Sequence, residues 1–363
     1  MRENRKFVGA GRSGVTMLAT MALGLSLGVM HSIDSVSAAP AHRAVFGTSA
    51  AQATTPHSTV APVTAARVSS YATRTTARWA GSINTTSRDA VNSAYWSEYA
   101  NKLQLPVQWL GGSILGCLPG LSTLSTNDAT LSALNYVRSL AGLAPVTFSP
   151  AMNATAQKAA LIMDANDALN HYPSSNWRCW TQAGATAASR SNLALAWPSL
   201  DSGEIIDLYM DDRGADNVAA GHRRWILNPF STVMGTGSTS TANALTVIGP
   251  TSGARPNPRY VTWPTQGWFP AAMEPAGRWS ISSGLASVSF GRAQVAVYRN
   301  GVRVPATKYP VHNGYAQPTL VWQLGDGVPK TGNFRVVVTG IHRAGLRRSL
   351  SYSYGVSLFT PYQ

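Results

Sequence analysis

Apolar side chains in the middle of the chain recur every three or four residues, which is the period of one face of an α-helix. This stripe consists of Leu131, Leu134, Val137 and Leu140. Asn127, just before the stripe, is a residue type that caps helix N-termini, and Gly142, just after it, is the type that most often ends helices. The pattern therefore predicts a helix from about Asn127 to about Gly142.

Three more segments carry helical signals. In Ser149-Pro150 a capping residue precedes a proline, which favours the first helical position, and this pair predicts a helix that runs to about Asn166. A shorter helix is expected from about Ser202 to Met210, and apolar residues also follow Ser87 at helical spacing. The middle of the chain is thus predicted to be mainly helical.

After about Arg255 the pattern changes to an alternation of apolar and polar residues, the period of a β-strand. The clearest short strands are Val295–Val297, Leu320–Trp322, Phe334–Val338 and Leu350–Tyr354. Gly-Asp-Gly and Asn-Gly sequences lie between such segments and are typical of tight turns. Evenly spaced strands over about 100 residues predict a small, Ig-like β-sandwich. The predicted fold class is therefore α+β, followed by an all-β region.

The start of the chain has the pattern of an export signal. Its positive residues are Arg2, Arg5, Lys6 and Arg12, and an apolar run (15–30) and small residues (36–41) follow them. This order predicts a secretory signal peptide over residues 1–38. The run is shorter than the ~20 residues that span a bilayer, although an uncleaved anchor is an alternative. We expect a secreted, extracellular or cell-wall-associated protein, with no transmembrane segment in the mature chain.

Composition sets the remaining boundaries. Residues 39–85 are rich in Ala, Thr, Ser, Arg and Pro, and have few large apolar side chains to offset the entropy lost on ordering. They are predicted to be a flexible linker. A helical N-terminal extension is expected over 86–125, the α+β domain over 126–252 and a basic all-β domain over 253–363.

The chain of 363 residues contains two cysteines, Cys117 and Cys179. Two thiols in an exported protein most often pair, because the compartment is oxidising. Closing a loop of about 60 residues contributes roughly 4 kcal/mol in the chain-entropy model. The sequence predicts a Cys117–Cys179 disulfide, with two separate buried thiols as the alternative.

Positive charge is concentrated near the carboxyl-terminal end. The whole chain has a formal net charge of +14, and residues 255–363 contain 12 Lys and Arg against 2 Asp and Glu. Such a basic region on an exported protein favours a polyanionic partner, either a cell-wall polymer or an anionic lipid surface. Nucleic acid is not expected as a partner in that compartment. The alternative is a cationic surface that serves solubility.

Two histidines and an acidic cluster are the candidate chemistry. His171 and His222 lie 51 positions apart, and an acidic cluster of Asp207, Asp211, Asp212 and Asp216 lies between them. Histidines with nearby carboxylates bind a divalent cation such as Zn²⁺, polarise water or hold a polar head group. Nothing in the spacing forces the two histidines together, and a lone histidine is more often structural.

At these residues the sequence resembles the CAP superfamily, which is also called SCP-like and contains cysteine-rich secretory proteins, antigen 5 and pathogenesis-related proteins. The segment from Gly221 to Pro229, GHRRWILNP, with Met234-Gly235-Thr236-Gly237 after it, is similar to the family's bacterial signature. Leu143-Ala144-Pro145-Val146 and Ser191-Asn192-Leu193-Ala194 resemble two further family elements in the family's order. The resemblance covers about residues 125–250.

The resemblance implies an α-β-α sandwich with a central antiparallel sheet and a solvent-open cleft of two histidines and two acids. The histidines carry over to His171 and His222, which would also be the ligands of a divalent metal, although no cofactor is required. The second acid carries over to Asp212, with Asp211 adjacent. The first acid is missing, because Ser191, beside Asn192, stands where the family usually has glutamate. Ser191 and Asn192 are expected in the same cleft.

The carboxyl-terminal region resembles the β-module that follows CAP domains in some exported bacterial proteins. The likeness rests on segments such as Val261-Thr262-Trp263-Pro264 and Gly267-Trp268-Phe269-Pro270. Tryptophans here fit either a sugar-stacking platform or, more often in a small sandwich, its core.

The sequence therefore predicts an exported binding protein, with no committed catalytic residue. Its cleft would hold a small apolar or anionic ligand, and its basic β-domain would bind surface polyanions. A metal-assisted hydrolase acting on peptide, ester or cell-wall substrates is the alternative. Against the hydrolase stands the replacement of the usual glutamate by Ser191, since a neutral hydroxyl cannot supply a negative charge. In a third interpretation the helical domain is only a scaffold for the β-domain.

Overall fold

A computed structural model describes residues 82–253, 258–285 and 287–363. The α-helices of these ranges are α1 (Arg88–Ala94), α2 (Leu124–Leu140), α3 (Pro150–Asn166), α4 (Gln182–Ala188), α5 (Glu204–Asp211) and α6 (Gly221–Ile226). A π-helical turn (Tyr95–Tyr99) and a 3-10 turn (Ala100–Lys102) continue α1, and two more 3-10 turns lie at Ala215–Asn217 and Ala271–Met273. The predicted signal peptide (1–38) and most of the predicted linker (39–85) lie outside the described residues.

The strands fall into two groups along the chain. The first group is β1 (Trp109–Leu110), β2 (Leu121–Ser122), β3 (Thr147–Phe148), β4 (Ser191–Leu195), β5 (Val233–Ser238) and β6 (Ala242–Thr246). The second group is β7 (Tyr260–Trp263), β8 (Gly267–Pro270), β9 (Arg278–Ser283), β10 (Val288–Ser289), β11 (Gln294–Arg299), β12 (Val302–Val304), β13 (Ala306–Lys308), β14 (Thr319–Leu324), β15 (Gly332–Arg343) and β16 (Leu350–Phe359).

The two longest helices begin at side-chain caps. Ser149 accepts a hydrogen bond from the backbone N–H of Met152 and caps α3, which confirms the predicted bounds of that helix. The predicted start of α2 near Asn127 is wrong, because the helix begins three residues earlier and is capped by Thr123. The first turn of α2 is polar or exposed, so the apolar stripe does not reveal it.

The predicted α-β-α sandwich is confirmed. A four-stranded sheet with the order β3-β5-β6-β4 has α3 and α4 on one face and α2 and α5 on the other. Side chains of β4 alternate between the two layers, since Leu193 and Leu195 pack against α3 and α4 whereas Ala194 joins the opposite core. The sheet is not wholly antiparallel as expected, because the two-residue strand β3 runs parallel to β5.

The carboxyl-terminal region is all-β, as predicted, and consists of two packed sheets. One sheet has the order β12-β11-β15-β16-β8, with β10 beside β15, and the other has the order β13-β14-β9-β7. Trp263, Trp279 and Trp322 are completely buried between them. Trp279 of one sheet meets Phe334 of the other edge to face at 5.2 Å. These three tryptophans therefore belong to the core, not to a sugar-stacking platform.

The predicted N-terminal extension is helical only in its first half. After Lys102 the chain forms a short antiparallel hairpin of β1 and β2 in place of further helix. The predicted disulfide is confirmed: Cys117, between these strands, is bonded to Cys179, with the two Cα atoms 4.9 Å apart. It ties the extension to the segment between α3 and α4.

Contacts also join segments on either side of the predicted boundaries. The last residues of the predicted linker are held, because the backbone N–H of Ile83 donates to Ser139 Oγ and Thr85 O accepts from the N–H of Trp268. Buried apolar residues of α2, α5 and both β-sheets form one contiguous core. None of the helices in the described part of the chain is long and apolar enough to cross a membrane.

Candidate functional site

The acid of the candidate site is Asp212, the residue that follows α5. It adopts a left-handed conformation with φ of 51°, which ends the helix and turns its side chain inward, where it is completely buried. Its Oδ1 lies 2.7 Å from Nδ1 of His222, and its Oδ2 accepts a hydrogen bond from the backbone N–H of Arg223. Both carboxylate oxygens therefore orient the start of α6.

His222 is the second residue of α6 and is only 1 % exposed. The carboxylate of Asp212 accepts hydrogen bonds, so Nδ1 of His222 carries a proton, and in the neutral imidazole Nε2 keeps its lone pair. This Nε2 atom is buried, and no described residue is its hydrogen-bond partner. Tyr209 of α5 stacks on the ring at 5.4 Å, which fixes its plane. The site therefore contains an oriented imidazole with an unused acceptor atom.

His171 lies in the segment between α3 and α4 and is partly exposed. Its Nδ1 is 2.9 Å from the carbonyl oxygen of Ala188, which can only accept, so Nδ1 donates here as well. Burial lowers the pKa of His171, and a charge on His222 lowers it further, against the opposing effect of the Ala188 carbonyl. The charge of His222 is thus one of the influences on the pKa of His171.

Ser191 and Asn192 open β4 and are buried beside the site. The Ser191 hydroxyl donates to the carbonyl oxygen of Ala187 and shares a hydrogen bond with Thr246. The Asn192 amide donates to the backbone carbonyl of His222, whereas its Oδ1 is buried and has no partner among the described residues. Ser191 is therefore used structurally, and Asn192 offers a second unused acceptor.

Asp211 has a different role from that of its neighbour. Its carboxylate is 2.6 Å from the guanidinium of Arg213, a side chain that is half exposed. The carboxylate that bonds to Nδ1 of His222 is that of Asp212. Asp212 thus reaches the histidine from the position that the family resemblance assigned to the second acid, although aspartate is one methylene shorter than the glutamate that is usual there.

The donor set fits a divalent metal only in part. A metal-binding histidine usually donates its other ring N–H to a carboxylate or a carbonyl, and both His171 and His222 do so at Nδ1. Asp212 is already bonded to His222 and Arg223. Among residues 82–253, 258–285 and 287–363 no group of three or more His, Cys, Asp or Glu is arranged to hold an ion. A metal here would have two protein nitrogens and take its other ligands from water.

Residues of the carboxyl-terminal region also support the site, which the sequence did not indicate. Arg278 of β9 donates to the backbone carbonyl of Asp212. Arg223, buried and next to His222, donates to the carbonyls of Met210, Asp211 and Arg278. Burial lowers the pKa of Arg223 to about 10, against the attraction of Asp212 and Asp211. Arg223 and Arg224 lie inside the signature segment, and the sequence did not indicate that either of these charged residues would be buried.

A separate cavity of about 640 Å³ lies where the two regions meet. Trp225, Phe230 and Tyr315 line it together with amide, hydroxyl and backbone groups. Trp225 therefore packs against the core on one side and contributes to this cavity on the other.

Comparison with known proteins agrees with the resemblance seen in the sequence. Residues 131–248 match the model of the cysteine-rich secretory protein family, CAP. The match runs from within α2 to just after β6 and includes both histidines and Asp212, and it ends before the carboxyl-terminal β-region. No curated protein matches the chain.

Proposed function

Because residues 131–248 form a CAP domain, we propose that this chain is an exported binding protein whose site is built on His171 and His222. CAP proteins are generally secreted, and a disulfide fits an oxidising compartment. The site and the basic β-region would act outside the cell or at its wall.

The observation that carries the proposal is Nε2 of His222, a buried atom that has no hydrogen-bond partner in the described part of the chain. A buried polar atom without a partner is costly, so such atoms commonly meet a water molecule or a ligand. Oδ1 of Asn192 is also buried and has no hydrogen-bond partner among the described residues. Both atoms accept hydrogen bonds while the imidazole is neutral. The preferred ligand therefore presents a hydroxyl, an amine or a metal cation. An anionic ligand would need a protonated imidazole, which the lowered pKa of His171 disfavours.

A divalent cation such as Zn²⁺ is the simplest probe of this site. His171 and His222 would hold it through Nε2, and it would supply a positive charge for a polar ligand group. We expect Zn²⁺ to raise the melting temperature of the intact protein and not that of the His171→Ala/His222→Ala variant. His342→Ala, at an exposed histidine of β15, is the matched control and should keep the shift. Equal shifts in all three proteins would dispose of a shared site.

A hydroxylated ligand is tested separately. Mass spectrometry of an organic extract of the purified mature protein should detect a small molecule in stoichiometric amount, and the double histidine variant should release less of it. An extract that is empty for a protein with a normal Zn²⁺ response would leave the cation as the ligand.

The second part of the proposal concerns the sheet of the β-region that contains β12, β11 and β15, which we call the basic outer sheet. Tyr298 of β11 is paired with Arg303 of β12 on one side and with Arg335 of β15 on the other. The Arg335 guanidinium lies 4.6 Å from the Tyr298 ring centroid, and both arginines are exposed. Cations on the two strands that flank β11 suit the repeated charges of a cell-wall polyanion.

Retention on purified cell wall tests this surface. The Arg303→Gln/Arg335→Gln variant should elute at lower salt than the unmodified protein. It has two fewer cations to hold it on the polyanion, so less salt is needed to screen the remaining attraction. Lys102→Gln/Lys158→Gln removes the same amount of positive charge from another part of the chain. It should elute at a higher salt concentration than the arginine variant. Identical elution of the two variants would reduce the effect to net charge alone.

A metal-assisted hydrolase remains the second candidate, and the Asp212–His222 pair favours it, because a carboxylate that orients an imidazole is common in general bases. His222 is 1 % exposed, which hinders the approach of a peptide or ester substrate more than that of a single cation or small molecule. Hydrolysis of peptide or ester substrates that is lost in His222→Ala and kept in His342→Ala would support the enzyme over the binding protein.

A further inference from the structure

Leucines project into solvent from the hairpin that the disulfide holds. Leu115 is 89 % exposed, and Leu110, Leu118 and Leu121 are each more than half exposed. We call residues 110–121 the leucine loop. Single exposed apolar residues are normal on protein surfaces, but a cluster of this kind marks an interaction surface.

The loop is held in a defined shape, so the exposure does not come from loose chain. Ser113 and Leu118 exchange two backbone hydrogen bonds of 2.9 Å, and Trp109 Nε1 donates to the carbonyl oxygen of Pro119. Gly120 has φ of +60°, and a Cβ there would lie 2.5 Å from the backbone nitrogen of Gly112. Backbone packing and the Cys117–Cys179 bond therefore keep the leucine side chains pointing outward.

The charge pattern indicates what covers these leucines. The sequence from Leu103 to Asn127 contains no charged residue; Lys102 precedes it and Asp128 follows it. Arg178, next to Cys179, is exposed beside the point where the loop is anchored. A segment that enters the hydrocarbon region must avoid charge, while cations at its border attract anionic head groups.

Residue type separates a bilayer from a protein partner. Leucine is among the residues that partition most favourably into a bilayer. At protein–protein interfaces, in contrast, the binding energy comes mainly from Trp, Tyr and Arg, and leucine is under-represented among the dominant residues. The exposed apolar residues of the leucine loop are all leucines. They lie within one segment, residues 110–121, which is short beside the about 20–30 residues a side of a standard protein–protein interface.

We propose that the leucine loop inserts its leucine side chains into the interfacial region of an anionic lipid bilayer, with Arg178 at the head groups. This surface is distinct from the histidine site and from the basic outer sheet. It gives the protein an attachment of its own to a membrane, one that does not depend on a ligand in the CAP domain.

Vesicle flotation tests the proposal with the full mature chain. The probes are vesicles of phosphatidylcholine alone and of phosphatidylcholine with phosphatidylglycerol. Removing a leucine from lipid costs up to about tenfold in partitioning, so Leu115→Ser/Leu118→Ser should reduce binding to the anionic vesicles by at least about tenfold. Val302→Ser/Leu346→Ser removes two exposed apolar residues of the β-region and should bind like the unmodified protein. Equal binding by both variants would overturn the proposal.

Lipid charge and oligomeric state distinguish a bilayer from a second copy of the chain. The affinity for anionic vesicles should exceed that for neutral ones, and Arg178→Gln should reduce this preference. Sedimentation velocity should give the same mass for the loop variant and the unmodified protein; a dimer that the loop substitutions dissociate, without vesicle binding, would assign the surface to a second copy and overturn the proposal. Leu115→Ala/Leu118→Ala is the variant to use if the serine variant melts early.

Discussion

Nδ1 of His222 lies 2.7 Å from Oδ1 of Asp212, and the other oxygen of the same carboxylate accepts from the N–H of Arg223. One buried aspartate thus sets both the orientation of the imidazole and the first turn of α6. Its backbone is in turn held by Arg278 from the β-region. The site therefore depends on residues that lie outside the matched family segment.

Asp212→Asn tests this arrangement. The amide keeps the size of the side chain but cannot accept from both His222 Nδ1 and the N–H of Arg223, so one buried donor loses its partner. We expect the free energy of unfolding to fall by about 1–3 kcal/mol, as measured by urea denaturation. Asp211→Asn is the matched control and should cost less, since its ion pair with Arg213 is partly exposed. A larger loss at Asp211 would contradict the assignment.

Stability should fall on the acid side of neutrality because of His171. Its pKa in the folded protein lies below the ordinary value of 6.5, so the unfolded chain binds the proton more readily. The stabilising contribution of neutral His171 is complete above about pH 6.5 and is lost as the pH falls from there towards the lowered pKa. Melting temperatures from pH 8 to about pH 5, without added metal, should show a smaller decline in His171→Gln than in His342→Gln. Parallel curves for the two variants would be inconsistent with this role.

Arg223 should couple the segment that matches the family model to the β-region. Its guanidinium donates to the backbone carbonyl of Met210, which is in α5, and to that of Arg278, which is in β9. Both carbonyls lose this donor in Arg223→Met. We expect a loss of about 3 kcal/mol or more, measured by calorimetry, and a single unfolding transition in the unmodified protein. Arg213→Met should change stability by less than about 1 kcal/mol. Two well-separated transitions in the unmodified protein would contradict the coupling.

The disulfide should stabilise the fold through the unfolded chain. Cys117 and Cys179 are 62 positions apart, and closing a loop of that length contributes about 4 kcal/mol in the chain-entropy model. Cys117→Ser/Cys179→Ser should lose that amount in urea denaturation. Ellman titration of the denatured, unreduced protein should detect no free thiol; two thiols per chain would refute the bond.

The sequence predicted those parts of the fold that depend on local patterns. Ser149-Pro150 placed the start of α3 correctly, because the cap and the proline act within one turn. The start of α2 was missed because Thr123, its cap, precedes a first turn without an apolar stripe. The hairpin of β1 and β2 was also missed, since two-residue strands leave no periodicity.

For the candidate site, the motif pointed to the residues but not to their partners. His222 was found through the nonapeptide that contains it, and Asp212 through the likeness of the segment 205–210 to the helix that precedes this motif in the family. The stacking of Tyr209, the buried position of Arg223 and the hydrogen bond from Arg278 depend on segments that meet only in the folded chain. Nothing in local sequence records such contacts.

The proposed binding site requires that His171 and His222 bind the same ligand through their Nε2 atoms. Electron paramagnetic resonance of the protein loaded with one equivalent of Cu²⁺ tests this most directly, because nitrogen hyperfine coupling counts the imidazoles bound to the ion. We predict coupling to two imidazole nitrogens in the unmodified protein and in His342→Ala, and to one in either His171→Ala or His222→Ala. A spectrum that neither of the last two substitutions changes would contradict a shared site.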